Sequence, residues 1–446
     1  MTSGIFRGLI AITCFLMACA ESSKNSTQAT DSELSTTFSG DSISMRFEKG
    51  KLVNGAEFSY FLPDSATSVY LVFFDPQGKG SFPVQRFQGL AEKYKINLVG
   101  SNRSKNGMSF EQTRPLANVL VSKILNDFPG TTKQIYFVGF SGGAKAAIDA
   151  GMANSNVKAV VYAGAPWKAE VVTKPILGFA GTGDMNYVDL LEFDKSISTQ
   201  IPHFLVEWRG KHTWPDSASF EEALVWIAGK EHLKSFDFQE YIKRKKQLLS
   251  TSKDEIAKVN TLASINFIAN ESNNKNPLKT DLEKVLKSGS YQKAIEEKKA
   301  NLAKELQLKA AYSQAFMDKD LNWWKLEIEN RNQPASSETK ALNERLLGYF
   351  SLAAYSYSNQ ALAGNQLDVA GKLLEIYRLA DPKNPEQAYL RAVLAAKTNQ
   401  TDQILSCLNE AVELGFEGRQ RILEQPEFQS FQSQAGFMEL VGRLKN

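Results

Sequence analysis

Histidine and cysteine are both scarce, with three of each in 446 residues: His203, His212 and His232; Cys14, Cys19 and Cys407. With no cluster of His, Cys and carboxylate residues, this argues against a zinc site. Three cysteines also make no disulfide framework. An excess of one charge is missing as well. The 52 Lys and Arg stand against 49 Asp and Glu, a formal net charge of +3. The basic residues are scattered or paired with acids, as in Glu296-Glu297-Lys298-Lys299, which reads as a solvated helix face and gives no case for nucleic acid. The apolar run Leu9 to Met17 is too short to span a bilayer as a mature helix. Apolar content of 43% and charged content of 23% are those of a globular chain, and the length allows two or three domains.

The N-terminus carries a targeting pattern. Arg7 supplies a positive charge, the apolar run follows, and it ends Leu16-Met17-Ala18-Cys19. This resembles the lipobox of bacterial lipoproteins. The resemblance implies cleavage before Cys19, diacylglycerol on its thiol, and an exported protein anchored to a bilayer of the bacterial cell envelope. Glu21 to Asp41 is rich in Ser, Thr, Asn and Asp and reads as a tether. Residues 1–18 are then a signal peptide and 19–41 the tether. Cys14 is discarded, and Cys407, inside an apolar helical pattern, is a small core residue.

Strand and helix patterns alternate across the next stretch. Ile43, Met45 and Phe47 alternate with polar residues, and Phe58 to Leu62 is a second strand stopped by Pro63. Val69 to Phe74 is a continuous apolar run, the mark of a strand covered on both faces. Further strands are expected at 95–100, 134–138, 157–163, 175–180 and 202–208. Helices are expected at 83–93, 111–128, 187–197 and 217–229, that at 111–128 with Leu116, Val119, Leu120 and Ile124 on one face. Such alternation calls for a mostly parallel sheet with helices on both faces, an α/β class of eight strands.

The run Ile135 to Val138 leads into Gly139-Phe140-Ser141-Gly142-Gly143, and a small, helix-forming run follows. A serine inside Gly-x-Ser-x-Gly, between strand and helix, is the nucleophile-elbow pattern. The turn is strained, so residues 139 and 143 must be small. The helix behind Ser141 also points its N-terminal N–H groups at charge developing on a substrate. The order of elements and the place of the elbow resemble the α/β-hydrolase fold over roughly residues 42–230.

That resemblance implies a triad in chain order Ser, acid, His. His203 opens the last strand and reads as a packed or edge residue, and His232 as a solvated residue on a charged helix. His212 follows the last strand directly, where the fold places its base. The acid is Asp184, just past the strand at 175–180, while Asp189 and Asp194 read as surface charges. Gly142 N–H is one oxyanion donor. The second is expected from Gln77, Gly78 or Lys79, in a loop where Gln77 stands in place of the family's usual His. The mechanism implied is acyl transfer by Ser141, His212 and Asp184, with no cofactor and no metal.

Lys211-His212-Thr213-Trp214-Pro215, with Gly210 one place early, is similar to the corresponding ending in extracellular poly(3-hydroxyalkanoate) depolymerases and feruloyl esterases, with dienelactone-hydrolase-like proteins close by. Lys211 departs from the glycine often found there. Only Gly164 to Lys174 separate two strands where lids usually insert. A short connection suits a polymer-borne or bulky ester, and equally promiscuous hydrolysis of small esters. Trp214 and Trp167 either line the pocket or pack in the core. The loop Ser101 to Gly107 either binds substrate or is simply hydrated.

Beyond 230 no strand pattern remains. Helices are broken near Asn270 to Pro277, Ser288-Gly289 and Gln333-Pro334. Residues 231–345 read as a helical region. Residues 346–446 read as helical repeats, because from about 351 an echo at a spacing of 34 pairs Ser358 with Ala392, Ala370 with Ile404, Leu374 with Leu408 and Tyr377 with Ala411. This resembles tetratricopeptide repeats, with Phe428 to Leu444 as a capping region, and implies a surface for a protein partner or a stabilising module. Two other classes of function fit the same chain: a catalytically silent scaffold lipoprotein, and a peptidase of the same fold.

Overall fold

The computed structural model describes residues 47–444. Cys19, the signal segment and the tether lie outside them, as does most of the strand expected over Ile43 to Phe47. The chain divides into two compact units, one reaching Ala300 without residues 183–185, the other comprising Gly183–Met185 and the chain from Asn301.

In the first unit, β1 (Leu52–Asn54), β2 (Phe58–Phe61), β3 (Val69–Phe74), β4 (Asn97–Ser101), β5 (Gln134–Phe140), β6 (Val157–Ala163), β7 (Ile176–Gly181) and β8 (His203–Trp208) form one sheet. Its order is β1-β2-β4-β3-β5-β6-β7-β8. β2 is antiparallel to both β1 and β4, and every other pairing is parallel, so β2 alone is reversed. This is the α/β-hydrolase arrangement. The described residues hold eight strands, with Leu52–Asn54 at one edge. Of the strand expected over Ile43 to Phe47 only Phe47 is described; it lies outside any strand and packs its ring on Phe128 and Tyr60.

Helices α1 (Ser81–Tyr94), α2 (Phe110–Asp127), α3 (Gly142–Ala153), α4 (Tyr187–Ser196) and α5 (Ser217–Lys230) connect and close the strands. All six residues of β3 are buried, as its unbroken apolar run requires. Leu71, Phe73, Tyr136, Val138 and Phe140 face one core with Phe87 of α1 and Phe220 of α5. The alternate residues are buried on the other side. There Phe74 meets Phe137 at 4.9 Å, and Gly151 of α3 leaves room for Val160 and Phe137. Helix α2 buries Thr113, Ala117, Leu120, Val121 and Ile124. Val119, expected on that face, is 51% exposed, because 120 and 121 take the inward positions of that turn.

The contacts do not thin out at residue 230. Helices α6 (Phe238–Thr251), α7 (Glu255–Glu271) and α8 (Lys279–Leu286) send Phe238, Tyr241, Ile242, Leu262, Ile265 and Ile268 into the core that covers the sheet. Phe267 stacks on Phe204 of β8 at 5.6 Å. The division falls instead inside α9 (Gly289–Asp318). The three expected helix breaks are all present.

The second unit holds α10 (Leu321–Arg331), α11 (Ser337–Ala363), α12 (Leu367–Ala380), α13 (Pro385–Lys397), α14 (Thr401–Glu413), α15 (Arg419–Glu424) and α16 (Ala435–Arg443). Its internal echo is geometric. Asn365, before α12, and Asn399, before α14, both adopt the left-handed conformation (φ 53° and 57°). The next residues make the same bond, Gln366 N–H to the Ala361 carbonyl and Gln400 N–H to the Ala395 carbonyl, each 2.8 Å. All eight residues that pair at the 34-residue spacing are buried, as is Cys407, whose thiol burial pushes up. Among the described residues, no helix is long and apolar enough to cross a membrane.

Candidate active site

Ser141 stands between the end of β5 and the start of α3 with φ 54° and ψ −123°, a conformation that side chains rarely adopt. Holding a non-glycine residue there costs on the order of 1–3 kcal/mol. The surroundings enforce it. A Cβ on Gly139 would come within 2.1 Å of the Gly143 carbonyl oxygen, and one on Gly143 within 2.0 Å of the Phe74 carbonyl oxygen. Only glycine permits so close a crossing of β3, β5 and α3. The Ser141 N–H donates to the Ala163 carbonyl of β6 at 2.8 Å.

His212 reaches this serine from the loop after β8. Its Nε2 lies 2.9 Å from Ser141 Oγ, placed to accept the hydroxyl proton. The ring packs 4.9 Å from Phe140, and Gly164 leaves space beside its Cε1. The loop carrying it is anchored from behind. Trp214 Nε1–H donates to Asp75 Oδ2 at 2.9 Å, and Arg86 of α1 donates to the carbonyl oxygens of Pro215 and Trp214. Trp214 is therefore a core residue, buried against Phe73, Phe87 and Phe140. Trp167 is half-buried against Phe110, beneath Lys145 and Lys168.

The other two histidines stand apart from this arrangement. His203 opens β8 with Nδ1 2.8 Å from the Ile201 carbonyl oxygen. His232 is exposed, but it sits in a left-handed turn just past α5 and not on a helix. Asp184 lies three residues past the end of β7 and is 1% exposed. Its segment, Gly183–Met185, belongs with the second unit, where Lys309 Nζ donates to the Met185 carbonyl at 2.9 Å. Asp189 is exposed, as expected for a surface charge. Asp194 is not. It is half-buried, and burial raises its carboxyl above the usual range.

Gly142 is the first residue of α3, so its N–H has no acceptor within the helix. The loop after β3 is differently committed. Gln77 N–H donates to Asp75 Oδ1 at 2.9 Å, and Gly78 N–H to the Asp75 carbonyl at 3.0 Å. Two of the three amides expected to supply a second oxyanion donor are thus engaged within their own turn. Gly78 has φ 71°, which explains a glycine there. The loop Ser101–Gly107 leans on this turn. Asn106 N–H donates to the Pro76 carbonyl at 2.8 Å, and the Asn106 side chain abuts Gly142. Sequence reasoning left this loop between binding and hydration, and Asn106 carried no motif that singled it out. Among the described residues, no group of three or more His, Cys, Asp or Glu stands close enough together to hold a metal ion.

No family model matches the chain, and no curated protein matches it. Solved structures do. A zinc-bound cold-adapted esterase from an Arctic intertidal metagenomic library is 14% identical over 38% of this chain and 85% of its own, with a TM-score of 0.31. A Pyrobaculum calidifontis esterase is 12% identical over 40% and 83%, at 0.33. The esterase domain of a Rhodothermus marinus protein is 15% identical over 40% and 97%, at 0.32. The fold assignment above rests on strand order and direction.

If Ser141 is held against its conformational preference, glycine at that position relieves the strain. Ser141→Gly is expected to be more stable than Ser141→Ala by about 1 kcal/mol. Thermal unfolding of the two variants checks this, and equal midpoints would show that the elbow stores no strain.

Proposed function

We propose that this chain is a serine hydrolase that cleaves carboxylic esters through an acyl-enzyme. The observation that carries the reading is the 2.9 Å contact between Ser141 Oγ and His212 Nε2 at a strained strand-to-helix turn. A serine hydroxyl alone is a weak nucleophile, and a base at this distance removes its proton as it attacks. Ser141 Oγ adds to the ester carbonyl carbon, and its proton passes to His212. Asp184 orients the imidazole and stabilises the imidazolium. The tetrahedral adduct collapses, and the alcohol leaves with the proton from His212. Water, deprotonated by His212, then adds to the acyl-enzyme. The acid departs, and Ser141 regains its proton. Gly142 N–H, at the positive end of α3, donates to the oxyanion in both additions.

Two further parts of the reading come from the sequence. Cys19 carries a lipid anchor that holds the chain at the bacterial envelope, and the paired helices from α11 to α14 are tetratricopeptide-like, offering a partner surface. The matched turns at Asn365 and Asn399 support the repeat. The short connection between β6 and β7 suits a polymer-borne or bulky ester and small esters alike.

Ser141→Ala is expected to abolish hydrolysis of p-nitrophenyl butyrate, by at least about a thousandfold in kcat, with its circular dichroism unchanged. Activity equal to wild type would remove the serine from the chemistry and favour a silent scaffold. Cys19→Ser is expected to move the expressed protein from the detergent phase to the aqueous phase on Triton X-114 partitioning; retention in detergent would rule out the anchor.

A further inference from the structure

The chemistry at this site calls for more than one hydrogen-bond donor. The addition of Ser141 Oγ converts a carbonyl oxygen into an oxyanion, and one N–H does not replace the water it loses. Gly142 supplies one donor. In the loop after β3, Asp75 holds the N–H of Gln77 through its side chain and that of Gly78 through its carbonyl. Releasing Gln77 would leave a carboxylate oxygen of a buried aspartate with one partner fewer.

A different donor stands beside Gly142. A Cβ built on Gly142 would fall 1.8 Å from Asn106 Oδ1 and 3.4 Å from Asn106 Nδ2, so the carboxamide occupies the space that a side chain at 142 would fill. Among the described residues, that carboxamide has no hydrogen-bond partner, whereas the Asn106 backbone is fixed by its N–H bond to the Pro76 carbonyl. Pro76 itself is next to Asp75, the residue that ties up the turn. Gly142 thus has its own reason to be small, distinct from those of Gly139 and Gly143: it admits Asn106. Rotation of the terminal amide by half a turn exchanges Oδ1 for Nδ2 and presents an N–H beside that of Gly142.

We infer that Asn106 is a catalytic residue of this site, its side-chain amide donating the second hydrogen bond to the oxyanion. The inference rests on the acyl-transfer reading above. When Ser141 Oγ bonds to the carbonyl carbon, the carbon–oxygen π pair moves onto oxygen and the serine proton onto His212 Nε2. Asn106 Nδ2–H and Gly142 N–H then both point at the new negative charge. No proton leaves Asn106; its hydrogen bond strengthens as the oxygen gains charge, so its contribution is chiefly to the transition state.

The test uses the full chain with p-nitrophenyl butyrate. Asn106→Ala, and Asn106→Asp, which keeps the shape without the donor, are expected to lower kcat about 100- to 1,000-fold with KM within about twofold of wild type. Affinity for a trifluoromethyl ketone, which forms a hemiketal oxyanion on serine, is expected to fall in parallel with kcat, a change that a purely structural role would not produce. Both variants should unfold at the wild-type temperature, because the side chain is exposed. Unchanged kcat in Asn106→Ala and Asn106→Asp with an active wild type overturns the role of Asn106 alone. A wild type that neither turns over the ester nor binds the ketone overturns the acyl-transfer reading, and this inference with it.

Discussion

The Phe74 carbonyl oxygen sits 2.0 Å from the point where a side chain on Gly143 would begin. That crossing of backbones sets the rest of the site. It brings α3 down onto the ends of β3 and β5, which forces Ser141 into a left-handed turn and lifts its hydroxyl clear of the sheet. It also puts the start of α3, with its uncommitted N–H groups and partial positive charge, directly behind that hydroxyl. A hydrophobic sheet buried on both faces supplies the free energy that holds the strained turn in place.

A second constraint joins two loops that are far apart in sequence. One buried carboxylate, Asp75, accepts from the Gln77 amide with one oxygen and from the Trp214 indole with the other. The loop after β3 and the loop bearing His212 therefore share an anchor. Hydrogen bonds to charged groups contribute about 1.5–3 kcal/mol each, which makes this a rigid joint and not a passing contact. Arg86 adds two further bonds to the same loop, and the ring cluster of Phe73, Phe87, Phe140 and Trp214 fills the space beneath it. The base is positioned by packing behind it as much as by the serine in front.

Much of this was legible in the sequence, for definite reasons. The unbroken apolar run at Val69 to Phe74 could only be a central strand, and Gly-x-Ser-x-Gly between a strand and a helix could only turn as it does. His212 followed from elimination among three histidines. Phe47, the described end of the alternation Ile43, Met45, Phe47, serves as an aromatic plug outside the sheet, a role that alternation does not reveal. The boundary at 230 was misread for a similar reason. Helix periodicity tells where an apolar face lies but not what it covers, and the faces of α6 and α7 cover the sheet. The commitments of Gln77 and Gly78 were invisible, because a side-chain-to-backbone bond within a turn leaves no periodic trace. Asn106 was invisible for the same reason: proximity to Gly142 is a matter of loop path. In the C-terminal unit the 34-residue echo was legible because buried positions repeat with the helices.

The account stands or falls on Ser141 being made nucleophilic by His212. A fluorophosphonate reacts with a serine only where a base takes the proton, and the adduct can be located by mass spectrometry of tryptic peptides. The account predicts a phosphonyl mass on the peptide bearing Ser141 in the full chain, formed at least about a hundredfold more slowly in His212→Ala. A wild-type chain left unmodified, or modified equally fast without His212, would contradict it.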